Sequence, residues 1–524
     1  MEHERIKNTM RNLIWGTLNS IVSLLLPFIT RTVLIYTMGI QFVGLGSLFT
    51  SILSVLSFAE LGIGGALVFN MYKPIAEGDT ASVRAWLNFY RKTYRVVGAV
   101  ILCLGLLTMP FLRYLIKYDI PDGINIYALF AIYLLNNLEG YFLFAYKQAV
   151  FLASQRVDVL SKVETLMRVA LHAFQILSLL AFRSYLLYTL SIPLNVCLNN
   201  LIVNALSNRI FPEYQCEGMI SELEKRGMRK KVQGVMFQKI GSTVLFSVDT
   251  IVISSFLGLK TLGIYNNYYY VIVAVTSFFS VIQRGIIPSI GNRIVLDSKE
   301  ENLKDFHKFH FLYIWLVTWC CCCLLCLFQP FVRVWQRGEN MLPDAMIPLL
   351  TAYFFTFRMG DICFIYREAL GMWWEARFVP LGAAALNLTV NLLSIRWLEL
   401  YGIVLSTILS LVCVYTPFGS MVLFMQYFRS KEEYVRYLLK TCRYFTVMCL
   451  TAGTTYLLCR PLPGGGVALL LERAAVCCVA PNALLLAIHR NNPDFKAAGE
   501  FALYMLPQNR VRGVLSRLLG LGTD

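Results

Sequence analysis

The sequence predicts an all-α polytopic membrane protein of about fourteen transmembrane helices, built as two parallel six-helix lobes followed by two C-terminal helices. Three observations predict it. Apolar runs long enough to cross a bilayer recur along the chain, a set of residues occurs twice at a nearly constant offset, and basic residues collect on alternate connections. Of the 524 residues, 57% are hydrophobic and 15% charged, against roughly 25% charged in soluble domains.

The runs lie near 13–37, 45–70, 94–116, 125–146, 160–182, 185–208, 235–258, 264–288, 310–332, 345–366, 378–398, 402–428, 444–459 and 467–488. Most approach the roughly 20 residues an α-helix needs to traverse hydrocarbon. The thirteenth is short, and the fourteenth contains Glu472 and Arg473. The N-terminal MEHERIKNTMR has no small-residue cleavage site and leads into a full-length span, so it does not read as a signal peptide.

A net charge of +16 raises the question of a nucleic-acid partner, which the placement of the charges answers. With the N-terminus inside, 36 of the 47 Lys and Arg fall on inside segments and 8 on outside loops, while Arg31, Arg358 and Arg473 lie within spans. Lys and Arg are retained on the cytoplasmic side because moving them across is unfavourable. The charge therefore reports orientation, with both termini cytoplasmic and no nucleic-acid partner.

The repeat divides the chain. Tyr133, Gly140, Phe144, Tyr146, Lys147, Gln148 and Ala149 correspond, 220 positions on, to Tyr353, Gly360, Phe364, Tyr366, Arg367, Glu368 and Ala369. Gly39 and Gly44 correspond to Gly258 and Gly263, 219 positions on. The polar stretch 209–233 reads as a cytoplasmic linker joining an N-terminal lobe (1–208) to a C-terminal lobe (234–428), with two further spans and a tail in 429–524. An even number of crossings per lobe makes the repeat parallel, an arrangement found mainly in transporters. Between spans two and three, Val83, Trp86, Leu87 and Tyr90 recur at helical spacing among Arg84, Arg91 and Lys92, which predicts a short amphipathic helix on the inner membrane surface.

Ionisable groups inside spans are costly and so are functional candidates. Arg31 lies near the end of span one, placed either to snorkel or to face a cavity. Glu60 lies deep in span two, Glu139 follows Asn136 and Asn137 in span four, and Asp249 is mid-span in the seventh. Arg284 is near the inner end of span eight. Arg358 and Asp361 stand i, i+3 on one helix and either neutralise one another or present an Arg to an anion with Asp361 fixing its geometry. Tyr265, Tyr268, Tyr269 and Tyr270 read as an interfacial belt.

Enzymatic readings find little support. There is no phosphate-cradling GxxxxGK motif, no HExxH, and no connection long enough for a soluble catalytic domain. His307 and His310 fall in a charged connector and are expected to face solvent. Fifteen cysteines include the run TWCCCCLLC at 318–326. Four consecutive helical residues point about 100° apart and cannot converge on one metal, so these cysteines read as packing groups. No cofactor or metal is called for.

The stretch NLIWGTLNSIVSLLLPFITRTVLIYTMGIQFVGLGSLFTSILSVLSFAELGIGGALVFNMYKPIAEGD resembles the N-terminus of bacterial oligosaccharide flippases, the Wzx-like polysaccharide transporters of the multidrug/oligosaccharidyl-lipid/polysaccharide exporter superfamily. The likeness is most specific over residues 11–95. It implies a protein of the bacterial cytoplasmic membrane that moves a polyprenyl-pyrophosphate-linked oligosaccharide between leaflets. Membrane lipids, a polysaccharide polymerase and glycosyltransferases would be its partners. Arg31, Arg284 and Arg358 become candidate phosphate contacts; Glu60, Asp249 and Asp361 become candidates for ion coupling or for orienting an arginine. A lipid II flippase, a cation-coupled multidrug exporter of the same superfamily, and a membrane transferase or envelope-assembly scaffold are the alternative readings.

Overall fold

A computed structural model describes residues 2–57, 63–117, 120–121 and 123–505. Glu60, a candidate coupling residue, lies outside the described residues. The protein is a helical, multi-pass membrane protein: among the described residues, nine helices are long and apolar enough to cross a bilayer, or ten if one bent pair is counted as a span. Two of the nine exceed any single crossing. The 64 residues from Gln233 to Leu296 would extend about 96 Å at 1.5 Å per residue, roughly three times the hydrocarbon thickness. A backbone break at Gly258 (φ 87°, ψ 172°) divides them. The 50 residues from Val379 to Phe428 are divided at Glu399 (φ 47°, ψ −129°).

The chain divides into two compact units, Met1–Asn266 and Asn267–Asp524. Unit one contains α1 (Glu2–Met38), α2 (Ile40–Leu56), α3 (Ile63–Glu77), α4 (Thr80–Thr108), α5 (Ile126–Phe142), α6 (Gln148–Ala153), α7 (Val157–Ala181), α8 (Tyr185–Ile210) and the first part of α9 (Glu222–Leu296). Here α1 packs along α7, and α8 packs on both α5 and α7. The surface helix expected near residues 83–92 is absent as a separate element. Asp79 caps α4 by accepting from the Ser82 amide at 3.0 Å, and the helix then runs unbroken into its apolar part. Val83, Trp86, Leu87 and Tyr90 are buried in protein rather than laid on lipid. The segment after α8 folds across them: Arg84 donates to the Glu213 carbonyl at 2.6 Å and Asn88 to the Gly218 carbonyl at 2.8 Å.

Gly39 (φ 107°, ψ 164°) and Gly258 occupy the same region of backbone space, one open essentially to glycine alone. Five residues after each, the second glycine of the pair lies in a close crossing. A Cβ on Gly44 would stand 2.2 Å from the Leu259 carbonyl oxygen, and one on Gly263 would stand 2.3 Å from the Ile40 carbonyl oxygen. Ile40 and Leu259 are themselves 219 positions apart, so the contact is reciprocal.

Unit two contains the remainder of α9, α10 (Lys299–Trp335), α11 (Met346–Arg358), α12 (Asp361–Leu370), α13 (Val379–Ser410), α14 (Thr416–Leu423), α15 (Lys431–Cys459), α16 (Gly466–His489) and α17 (Pro493–Met505). Single π-turns at Leu411–Tyr415 and Phe424–Phe428 flank α14. The C-terminal α15 and α16 pack against α10 and against one another. Two expectations fail here. His310 is 1% exposed, and His307 lies 3.2 Å from Glu433 Oε2, because the connector that carries them is the first part of α10 rather than a solvated loop. Tyr268 is fully buried, donating to Gln329 Oε1 at 2.6 Å and accepting from the Leu342 amide at 3.2 Å, so it is a core residue and not part of an interfacial belt.

Candidate functional site

Unit one holds a cavity of about 520 Å³. Its walls come from polar residues set at helical spacing on otherwise apolar helices: Ser54 and Ser57 at the end of α2, Tyr90 and Tyr94 on α4, Asn137 and Tyr141 on α5, and Gln148 opening α6, with Thr243 of α9. Positions three or four apart share a helix face, so each helix turns its polar pair the same way. The side chains are held in place. Ser57 donates to Asn137 Oδ1 at 3.1 Å, the Tyr90 hydroxyl donates to that of Tyr94 at 3.0 Å, and the Tyr94 and Tyr141 rings lie 5.3 Å apart.

Two backbone features shape the space. Gly64 lets both hydroxyls approach, since a Cβ there would fall 2.9 Å from the Tyr90 oxygen and 3.2 Å from that of Tyr94. Between α5 and α6 the chain bends by 48°, with Leu143 extended and Phe144 at φ 27°. This bend carries the repeated segment. Its Lys147 is buried and donates to Asn208 Oδ1 at 3.2 Å and the Tyr214 carbonyl at 3.1 Å. In the second copy Arg367 is equally buried and packs on Gly419, while the Tyr366 hydroxyl donates to the Asn302 carbonyl at 3.3 Å. The repeated residues fasten the bends; they do not line the cavity, apart from Gly140, Gln148 and Ala149.

All lining residues of this cavity are uncharged. It offers flat aromatic faces, amides and hydroxyls, which suit a neutral polyhydroxylated ligand better than an ion. Its volume lies within the roughly 300–1,000 Å³ of small-molecule sites.

The predicted charges sit elsewhere. Arg31 is half-buried on α1, and its charge reaches Tyr188 of α8. Asp249 is buried in α9, 8% exposed. Arg284 is exposed. In unit two, Arg358 Nη1 lies 2.9 Å from Asp361 Oδ2, and both residues are buried. Asp361 also accepts from Gln283 Nε2 at 2.9 Å and from the Tyr313 hydroxyl. The Arg358 guanidinium lies 3.9 Å from the Phe357 ring centroid. The structure thus places Gln283, and not its neighbour Arg284, in the network.

With this geometry in view, comparison with solved structures is informative. The lipid II flippase MurJ in an inward closed conformation superposes with a TM-score of 0.61 at 14% identity, covering 92% of this chain and 99% of that one. An inward-facing multidrug resistance MATE family transporter of the MOP superfamily gives 0.58 at 9% identity, covering 83% and 96%. A mutant form of the Vibrio cholerae MATE transporter VcmN gives 0.54 at 13% identity, covering 82% and 99%. The fold is that of the MurJ and MATE transporters. No protein-family model matches the sequence, and no curated protein matches it. At these identities the likeness is one of fold alone.

Proposed function

We propose that this protein is a flippase that moves a polyprenyl-pyrophosphate-linked oligosaccharide across the bacterial cytoplasmic membrane by alternating access. The observation that carries the reading is the uncharged tyrosine- and amide-lined cavity of unit one. A glycan crossing hydrocarbon unaided would lose its hydration at a cost of several kcal/mol per unpaired polar group, and this lining supplies replacement hydrogen bonds and stacking faces. In this reading the lobes 1–208 and 234–428 rock about the substrate, and Arg31, Arg284 and Arg358 take the phosphates. Asp361 orients Arg358, and Glu60 and Asp249 serve the driving force.

An exporter of organic cations would want acids in its cavity, and the lining here has none. Coverage points the same way. The flippase MurJ matches 92% of the chain and the MATE structures 82–83%, close to the roughly 82% that residues 1–428 represent. The extra share is what α15 and α16 would account for. Lipid II is the second reading, favoured by that coverage.

The test is translocation in proteoliposomes of a fluorescent polyprenyl-pyrophosphate oligosaccharide, beside lipid II and an organic cation. Glycan-dependent translocation, lost in Tyr94→Ala and Asn137→Ala with the protein still monodisperse, is the expected result. Movement of lipid II alone would assign the second reading, and movement of the cation alone would sink both.

A further inference from the structure

Three cysteines from three different helices meet in unit two. Cys326 of α10, Cys459 at the end of α15 and Cys477 of α16 are all buried, and their sulfurs all lie within 4.8 Å of one another. Cys326 belongs to the run whose consecutive members diverge around the helix. What the run cannot do alone, three helices do together: each contributes one thiol to a common point. Among the described residues no other group of three or more His, Cys, Asp or Glu converges in this way.

We propose that Cys326, Cys459 and Cys477 form a binding site for one soft monovalent metal ion, Cu(I), that fastens α15 and α16 to α10. Sulfur-only donors select soft ions. The donor number favours a monovalent ion, because structural Zn²⁺ takes four ligands in a tetrahedron and this cluster offers three.

Arg473 stands one turn before Cys477, and its Nη1 donates to the Cys326 carbonyl at 3.1 Å, so a positive charge stands beside the thiols. Binding of the ion releases one proton from each thiol that becomes a thiolate.

A cavity of about 520 Å³ lies nearby: its lining includes Leu325, Tyr456 and Arg473, each within about one helical turn in sequence of one of the three cysteines. Asp344 lies on the same wall.

The experiment uses the full-length protein in detergent under reductant, offered Cu(I) in competition with a chromophoric Cu(I) chelator. One equivalent retained per chain, with sulfur-only coordination by X-ray absorption, is expected. Cys459→Ser/Cys477→Ser should retain none, whereas Cys413→Ser, at an exposed cysteine, should retain the full equivalent. Because the double variant could fold poorly, Cys326→Ser alone and Cys477→Met, which keeps the bulk and a soft sulfur, are measured beside it. Cys326→Ser should bind at least tenfold more weakly with an unchanged elution profile. No retained copper in the wild type, equal retention in the double variant, oxygen or nitrogen coordination, or preferential uptake of Zn²⁺ would each overturn the assignment.

Discussion

Arg358 Nη1 lies 2.9 Å from Asp361 Oδ2, and Asp361 takes two further donors, from Gln283 and Tyr313. The pair joins the end of α11 to the start of α12 and ties both to α10 and the second part of α9. A buried pair stripped of one partner leaves an uncompensated charge, at a cost of about 3–5 kcal/mol, whereas replacing both partners by apolar groups is often neutral.

Arg358→Ala should therefore destabilise the protein by about 3–5 kcal/mol, and Arg358→Leu/Asp361→Leu should recover most of that loss. Thermal unfolding in detergent measures the first effect, and translocation in proteoliposomes then separates the roles. The double variant is expected to be stable yet inactive, as a phosphate-contacting arginine requires. A stable and fully active double variant would reduce the pair to a structural one.

In the cavity of unit one, Tyr94→Phe removes the hydroxyl that accepts from Tyr90 and keeps the ring against Tyr141. Tyr94→Ala removes both. An aromatic ring face contributes beyond its hydrogen bonds, so translocation should fall in the order Phe, then Ala. Equal rates for the two would show that the ring contributes nothing.

At the glycine crossing, Gly44→Ala and Gly263→Ala each push a methyl against main-chain oxygen at 2.2 and 2.3 Å, which no side-chain rotation relieves. Overpacking of this kind costs about 1–3 kcal/mol, and Gly39→Ala adds backbone strain of similar size. Lowered melting temperatures are the expected readout. Gly453→Ala, where a Cβ meets nothing within 4 Å, should melt like the wild type.

Asp79 provides a pH-dependent local test. Hydrogen bonds from the Ser82 side chain and amide hold its carboxyl below the usual carboxylate range. Because the folded-state value is depressed, the cap contributes above the ordinary pKa near about 4 and is lost as pH falls through the depressed one. The protection of the first-turn amides of α4, their exchange corrected for its intrinsic pH dependence, should fall on acidification below that range. In Asp79→Ala protection should be low already at pH 7, with no such step.

Hydropathy and charge placement made the membrane class and most of the spans legible, since both follow directly from what lipid excludes. The site was legible only in part. Asn137 stood out as a polar residue in an apolar run, and Arg358 and Asp361 as charges. Gln283, Tyr313, Tyr90 and Tyr94 did not, because Gln and Tyr carry no charge and nothing local says which of many similar residues a fold will turn inward. Charge alone did not mark the residue of this turn that joins the network: Gln283, beside the charged Arg284, is the one that reaches Asp361. The thiol cluster was hidden because its members lie on three different helices, one of them more than a hundred residues before the other two, while the four adjacent cysteines drew attention to a place where convergence is geometrically impossible.

The glycine crossing has one consequence beyond stability. Gly44 meets Leu259, Gly263 meets Ile40, and one offset of 219 positions maps each partner onto the other. Contacts of that form, in which residue i touches j′ and j touches i′, are the signature of an isologous interface between identical subunits. A half-length chain that paired with its own copy through this patch would leave this pattern after gene fusion. Each copy of the glycine segment thus supplies the same glycine to the other and receives the same carbonyl oxygen from it.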